Sequence, residues 1–170
     1  MMVGITGTPG TGKSTVGVVL AGRGRRVVHT TETVGPFILG KDPARDTRVV
    51  DAEAWAAAFE PIDGVVEGHL AHLLPCDLVV VLRCRPDLLK ERLTARGYPR
   101  EKVRENAEAE ALDVILIETL EGFPREKVLE VDAGALNPEE VADLVEGFMA
   151  GEVAPSVGMV DWSSYILEGL

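Results

Sequence analysis

Residues 7–14 read GTPGTGKS, a glycine-rich loop closed by a lysine and a hydroxyl, with Thr15 behind it. Every fixed position of G-x-x-x-x-G-K-[ST] is filled. Glycines let consecutive main-chain N–H groups curl around a polyphosphate, and a helix starting there adds partial positive charge. In such a loop Gly10 and Gly12 shape the cradle, Lys13 reaches the β- and γ-phosphates, and Ser14 can ligate Mg²⁺. Glu67 ends the buried strand that follows a turn within 62–69, where a carboxylate can hold the metal through its water. His69, two residues on, can orient a water or a substrate group, or make a structural hydrogen bond. His72 is expected to be exposed. Arg92, Arg96, Arg100 and Arg104 recur every four residues and are interrupted by Gly97 and Pro99. A chain that turns there can fold these cations over a nucleotide, Arg96 being best placed. Arg100 and Arg104, interleaved with Glu101, Glu105 and Glu108, fit a salt-bridged helix face better.

The elements that must hold these groups follow from hydrophobic pattern. Residues 2–6 (MVGIT) form a short buried strand before the loop, and 15–21 continue as a helix that Gly22 and Gly24 stop. A short strand follows at 26–29, then a turn and a buried strand within 62–69 that ends on Glu67, a β-branched strand at 77–84 (DLVVVLRC), and a last one at 128–131. Between them lie an interrupted helix near 30–36, a polar loop over 41–47 and a helix over 49–59 closed by Pro61. A helix from Pro86 to Arg96, a long helical stretch from Arg100 to about Leu120, and a helix opened by Asn137-Pro138-Glu139-Glu140 complete the set. Strands alternating with helices behind such a loop define an α/β fold of the P-loop NTPase class, a central parallel five-stranded sheet flanked by helices. Residues 1–150 make the domain, and 151–170 a tail whose Trp162 and Tyr165 suit docking on the body or on a partner.

The chain of 170 residues carries a formal charge of −11, which argues against a nucleic-acid-binding surface. Lys and Arg are concentrated in 1–48, at +4, and in 83–104, at +5, whereas 105–170 stands at −14. A phosphate site built from separate parts of the chain would give that pattern, as would chance and solvated helix faces. Cys76 and Cys84 lack metal or redox spacing and read as free, partly buried thiols. No apolar run suits a membrane span, and the loop begins too near the N-terminus to follow a cleaved leader, so an intracellular, cytoplasmic protein is expected. There is no N-K-x-D motif of a switch GTPase, which leaves small-molecule and nucleotide kinases as the natural home of so short a chain.

Six strings, taken together, resemble the isoenzyme-six type of adenylate kinase of archaea and eukaryotes. They are GTPGTGKS at 7–14, DTRVVD at 46–51, VEGHLAHLLP at 66–75, VLR at 81–83, RLTARGY at 92–98 and KVRENAEAE at 102–110. The resemblance covers about residues 2–150. It implies reversible, Mg²⁺-dependent transfer, ATP + AMP to two ADP, with a monophosphate-binding segment at about 30–52 and a short lid at about 96–106. Gly10, Gly12, Lys13, Ser14 and Thr15 match its ATP loop, Arg96 its lid arginine and His69 its histidine; Glu67 stands where the family often has Asp. It further implies a role in small-subunit ribosomal RNA processing and a basic small-subunit ribosomal protein as partner. Gly35-Pro36 replaces an arginine that relatives carry in the monophosphate helix, so Arg48 or Arg45 is expected to supply that charge. Three readings stay open: an adenylate-type kinase, an ATPase assembly factor with weak kinase activity, and a kinase of another small acceptor.

Overall fold

The computed structural model describes residues 1–43 and 47–167; Arg45, expected above to bind the monophosphate, lies outside them. Strand β1 (Met2–Thr6) is buried along its whole length and leads into the glycine loop, from which helix α1 (Lys13–Gly22) departs. β2 (Val27–His29) is followed by a hairpin of β3 (Ile38–Asp42) and β4 (Thr47–Val50), then by α2 (Ala52–Ala58). β5 (Gly64–Glu67) and β6 (Leu78–Arg83) precede α3 (Pro86–Ala95), α4 (Arg100–Ala111) and α5 (Val114–Gly122). β7 (Val128–Asp132), α6 (Pro138–Ala150) and a short α7 (Ser163–Leu167) complete the chain.

Five strands form one parallel sheet in the order β2-β5-β1-β6-β7. Alternation splits its side chains between two cores. Val3, Ile5, Val80 and Leu82 face α1 and α6, where they meet Leu20, Val145 and Phe148. Met2, Val66, Val79 and Val81 face α2 and α5, where they meet Trp55 and Leu116. Both faces being covered, the strands need continuous aliphatic runs. The chain crosses from one side of the sheet to the other beside β1, and the crevice at the carboxyl ends of β2, β5 and β1 is where such sheets place ligands.

Three expectations are corrected. The stretch read as a polar loop over 41–47 contributes to the β3–β4 hairpin, which pairs Lys41 with Arg48 and Asp42 with Thr47. Its outer side chains Leu39 and Val49 stay 69% and 46% exposed, so the hairpin buries too little to leave a hydrophobic signature. The helical stretch from Arg100 is two helices, broken where Asp113 adopts the left-handed conformation (φ 58°) and turns its carboxylate to Arg83. His72 is buried, not exposed: Nδ1 lies 2.8 Å from Thr6 Oγ1 and Nε2 3.1 Å from Glu118 Oε2. Burial lowers its pKa, against the pull of Glu118, so the ring is neutral and ties the segment after β5 to β1 and α5.

The residues after α6 pack on the body of the same chain. Glu130 N–H donates to Ser156 O at 2.7 Å, Glu130 Oε2 accepts from Gly158 N–H and Met159 N–H, and Tyr165 O–H donates to Asp87. Cys76 and Cys84 are both free and buried, and burial pushes their thiols up to about 12 and about 11.

Candidate nucleotide site

Gly10 and Gly12, at φ 95° and 101°, hold the loop in a conformation other residues rarely adopt. Gly12 caps α1 with no side-chain partner, and no acid occupies the first turn, so the helix start is left to an anion. Thr11 braces the loop by donating from Oγ1 to Thr8 O at 2.9 Å. Thr8 donates to Glu110 Oε2 at 2.5 Å, which fixes the loop to the far end of α4.

Lys13 folds back on the loop, its ammonium donating to Gly7 O at 2.7 Å and Thr8 O at 2.9 Å. Burial pushes its pKa from 10.5 down to about 8; Glu67 and Glu110 oppose the fall and Arg96 adds to it. Ser14, on the exposed side of the same turn, donates to Glu67 Oε2 at 3.3 Å. Glu67 is 3% exposed and stands in register with Ile5 of β1, so the strand end itself carries the carboxylate to the loop. Gly17 of α1 leaves it room, since a Cβ there would come within 3.3 Å of Glu67 Cγ.

Two clefts meet at the loop. One, of about 600 Å³, is lined by Lys13, Ser14, Glu67, His69, Arg96 and Lys102 among others. The second, of about 450 Å³, lies beyond Gly10, between Gly12, Thr15, Arg92, Arg96 and Pro138. His69 is an exposed residue on the wall of the first cleft. Enclosure by that wall, then the charge of Lys13, lowers its pKa to about 4, so the ring is neutral. Arg92 is occupied with Gly10 O, at 3.3 Å, and braces the loop from α3. Arg100 and Arg104 line a different groove with Lys90, and Arg104 pairs with Glu108 at 3.4 Å.

The structure thus gathers Gly10, Lys13, Ser14, Glu67, His69 and Arg96 around one cleft, and Gly12 and Thr15 around its neighbour. Arg48 is not among them; it stands exposed on the hairpin. Sequence reasoning missed His29, which lines the first cleft, and Leu136 and Pro138, which line the second; Lys102 and Asn106, also on the first, fall within the segment expected as a lid but were not singled out. His29 had one available signal, its place at the carboxyl end of a parallel strand, like that of Glu67.

A parallel sheet of this order with a glycine loop after β1 defines a P-loop nucleotide-binding protein, and solved structures agree on the fold. Shikimate kinase from Bacteroides thetaiotaomicron aligns with a TM-score of 0.57 at 17% identity, covering 88% of this chain and 98% of that one. A sugar kinase from a Janibacter species gives 0.55, also at 17% identity, covering 88% and 94%. Residues 3–113 match the AAA domain family. A protein of Natronomonas pharaonis named "Putative adenylate kinase" is 46% identical over 169 residues, 98% of this chain and 100% of that protein. One of the same name from Methanothermobacter thermautotrophicus is 44% identical over 171 residues, 98% and 99% of the two chains. The chain belongs to this family of adenylate-kinase-type P-loop proteins.

Proposed function

We propose that the protein is a nucleoside monophosphate kinase of the adenylate type, carrying out ATP + AMP ⇌ 2 ADP with Mg²⁺ in the cytoplasm. The observation that supports it most is the pair of clefts meeting at the glycine loop, with Arg96 on the wall of both. The 450 Å³ cleft, walled by Ala133, Leu136 and Pro138, suits the base of ATP; the 600 Å³ cleft suits the acceptor. A phosphoryl group passing between them crosses the loop where Lys13 sits.

In this reading an acceptor phosphate oxygen attacks the γ-phosphorus. The bond from that phosphorus to the β,γ-bridging oxygen breaks, and the first ADP leaves with the electron pair. An ionised acceptor needs no base, so the protein's work is placement and charge. Lys13 leaves Gly7 O and Thr8 O for the β- and γ-phosphates, Arg96 spans donor and acceptor, and neutral His69 donates or accepts beside them. The cations of the acceptor side are Lys102 within the cleft and Arg48, which belongs there only with the hairpin closed over it. Ser14 Oγ and Glu67 Oε2 are hard oxygen donors on one side of the loop, a set that fits Mg²⁺ completed by water and phosphate. When bound, Mg²⁺ would supply positive charge against the charge that develops on the phosphates during transfer.

The test is ADP formation from Mg-ATP with and without AMP, with free phosphate followed in parallel. AMP-dependent ADP without phosphate release is the expected result; phosphate release indifferent to AMP would overturn the kinase. Glu67→Gln is expected to lower the Mg²⁺-dependent rate about 10–100-fold while the melting temperature holds; an unchanged rate would remove Glu67 from the metal's surroundings.

A second reading has its own support. The segment 105–170 carries −14 and suits a basic protein partner, and Gly35-Pro36 leaves the monophosphate segment without its arginine. On this reading the same site is an ATPase whose cycle loads or releases a basic ribosomal protein during small-subunit rRNA processing. Phosphate release stimulated by such a protein, without AMP, would favour it.

A further inference from the structure

We infer that His29 is a positioning residue that sets the direction of the Ser14 hydroxyl, and so tunes the metal site without being a ligand. The inference rests on the reading of this cleft as a Mg-nucleotide site. His29 closes β2 and is in register with Glu67 of β5, so the sheet brings the imidazole beside the carboxylate. The ring's orientation is fixed from behind. Nδ1 accepts from the main-chain N–H of Thr31 at 3.1 Å, and Thr31 Oγ1 lies 2.7 Å from the same nitrogen. A nitrogen that accepts a main-chain N–H carries no proton, so the ring proton is on Nε2.

Nε2–H faces Ser14 Oγ at 3.5 Å and Glu67 Oε1 at 3.3 Å, both acceptors toward it. Being protonated, Nε2 has no lone pair for a cation, which excludes His29 from the ligand set. Its effect passes through Ser14. The hydroxyl oxygen has one hydrogen and two lone pairs. Its hydrogen goes to Glu67 Oε2, at 3.3 Å, and one lone pair faces the imidazole N–H. The other lone pair is thereby left for a cation on the loop side. Without His29 the hydroxyl rotor is free to turn that lone pair away. Groups that orient metal ligands in this way commonly change metal affinity by about 10–100-fold.

The simpler role is capping: His29 also stabilises the short turn at Thr30–Glu32. The experiment must therefore read the metal. Mn²⁺ binding to the full chain, saturated with the β,γ-imido analogue of ATP, is followed by electron paramagnetic resonance. Nucleotide binding in EDTA is measured beside it. His29→Ala is expected to weaken Mn²⁺ about 10-fold and to leave metal-free nucleotide binding unchanged. His29→Phe, which keeps the ring's bulk, carries the same expectation should alanine unfold the turn. His29→Gln retains an N–H at similar reach and should restore most of the affinity. In a Ser14→Ala background, His29→Ala should cost nothing further. Mn²⁺ affinity equal to wild type in the alanine and phenylalanine variants, or losses that add to those of Ser14→Ala, would overturn the inference. A wild-type protein that holds Mn²⁺ and nucleotide but makes no ADP from AMP would sink the kinase reading alone.

Discussion

Lys13→Ala is expected to abolish phosphoryl transfer, by at least about 10²–10³-fold in kcat, while leaving a folded protein. The magnitude follows from removing a preorganised charge aimed at developing phosphate charge in a site sheltered from water. The sparing of the fold follows from the same burial that lowers the ammonium's pKa from 10.5 to about 8. A lysine whose folded pKa lies below its unfolded value opposes folding while charged, and that cost fades as pH rises through about 8. Alanine removes the cost together with the two hydrogen bonds to Gly7 O and Thr8 O, so the melting temperature at neutral pH should stay near wild type. A lost activity that came with a large fall in melting temperature would mean that Lys13 is chiefly a brace for the loop.

The same shift sets a pH signature for nucleotide binding. A polyphosphate beside Lys13 favours its charged form, so the bound pKa lies above the free value of about 8. Below that pH the ammonium is charged in both states and affinity is at its plateau. Above it the free site has lost its proton and must regain one on binding. Affinity should therefore fall as pH climbs through 8 to 9, with proton uptake visible by calorimetry in buffers of different ionisation enthalpy; Lys13→Ala should lose that component. A profile flat from 7 to 9 in the wild type would show that the ammonium stays charged without nucleotide.

What could be read in advance was whatever rests on local pattern. The glycine loop, the five aliphatic strands and the Asn137 cap need only neighbours in the sequence, and each stands where the pattern put it. The misses are residues whose surroundings come from afar. His72 looked like a surface histidine because its partners, Thr6 and Glu118, lie 66 and 46 residues away. Asp113 broke a helix whose apolar spacing runs on without interruption, and the cause is again distant, the guanidinium of Arg83. Among the described residues, strands β3 and β4 pair only with each other, so neither burial nor alternation announced them. In the site, Glu67 was legible as a carboxylate ending a buried strand. Its neighbour His29 became meaningful only once the register of β2 and β5 was known.

Arg83 carries the second large expectation, this time for stability. It is 1% exposed at the end of β6 and holds three carboxylates together. Nε donates to Glu110 Oε1 at 2.8 Å, Nη2 to Glu110 O at 3.0 Å and to Asp113, and Nη1 to Glu130 Oε1. Each buried glutamate also holds a second part of the chain. Glu110 accepts from Thr8 of the loop and from Cys84 N–H, and Glu130 from Gly158 N–H and Met159 N–H of the C-terminal segment. One guanidinium thus joins the loop, α4, β7 and the segment after α6. Arg83→Met leaves Glu110 and Glu130 buried without their counter-charge, which costs about 3–5 kcal/mol. For a chain of this size that corresponds to a fall of roughly 6–20 °C in melting temperature. The cost belongs to the stranded charges and not to lost packing, so neutralising them should undo it. Arg83→Met combined with Glu110→Gln and Glu130→Gln is expected to recover most of the loss, since exchanging a whole buried ionic cluster for a neutral set is often close to neutral. A triple variant no more stable than Arg83→Met in thermal and urea unfolding would show that the guanidinium acts through shape and hydrogen bonding alone.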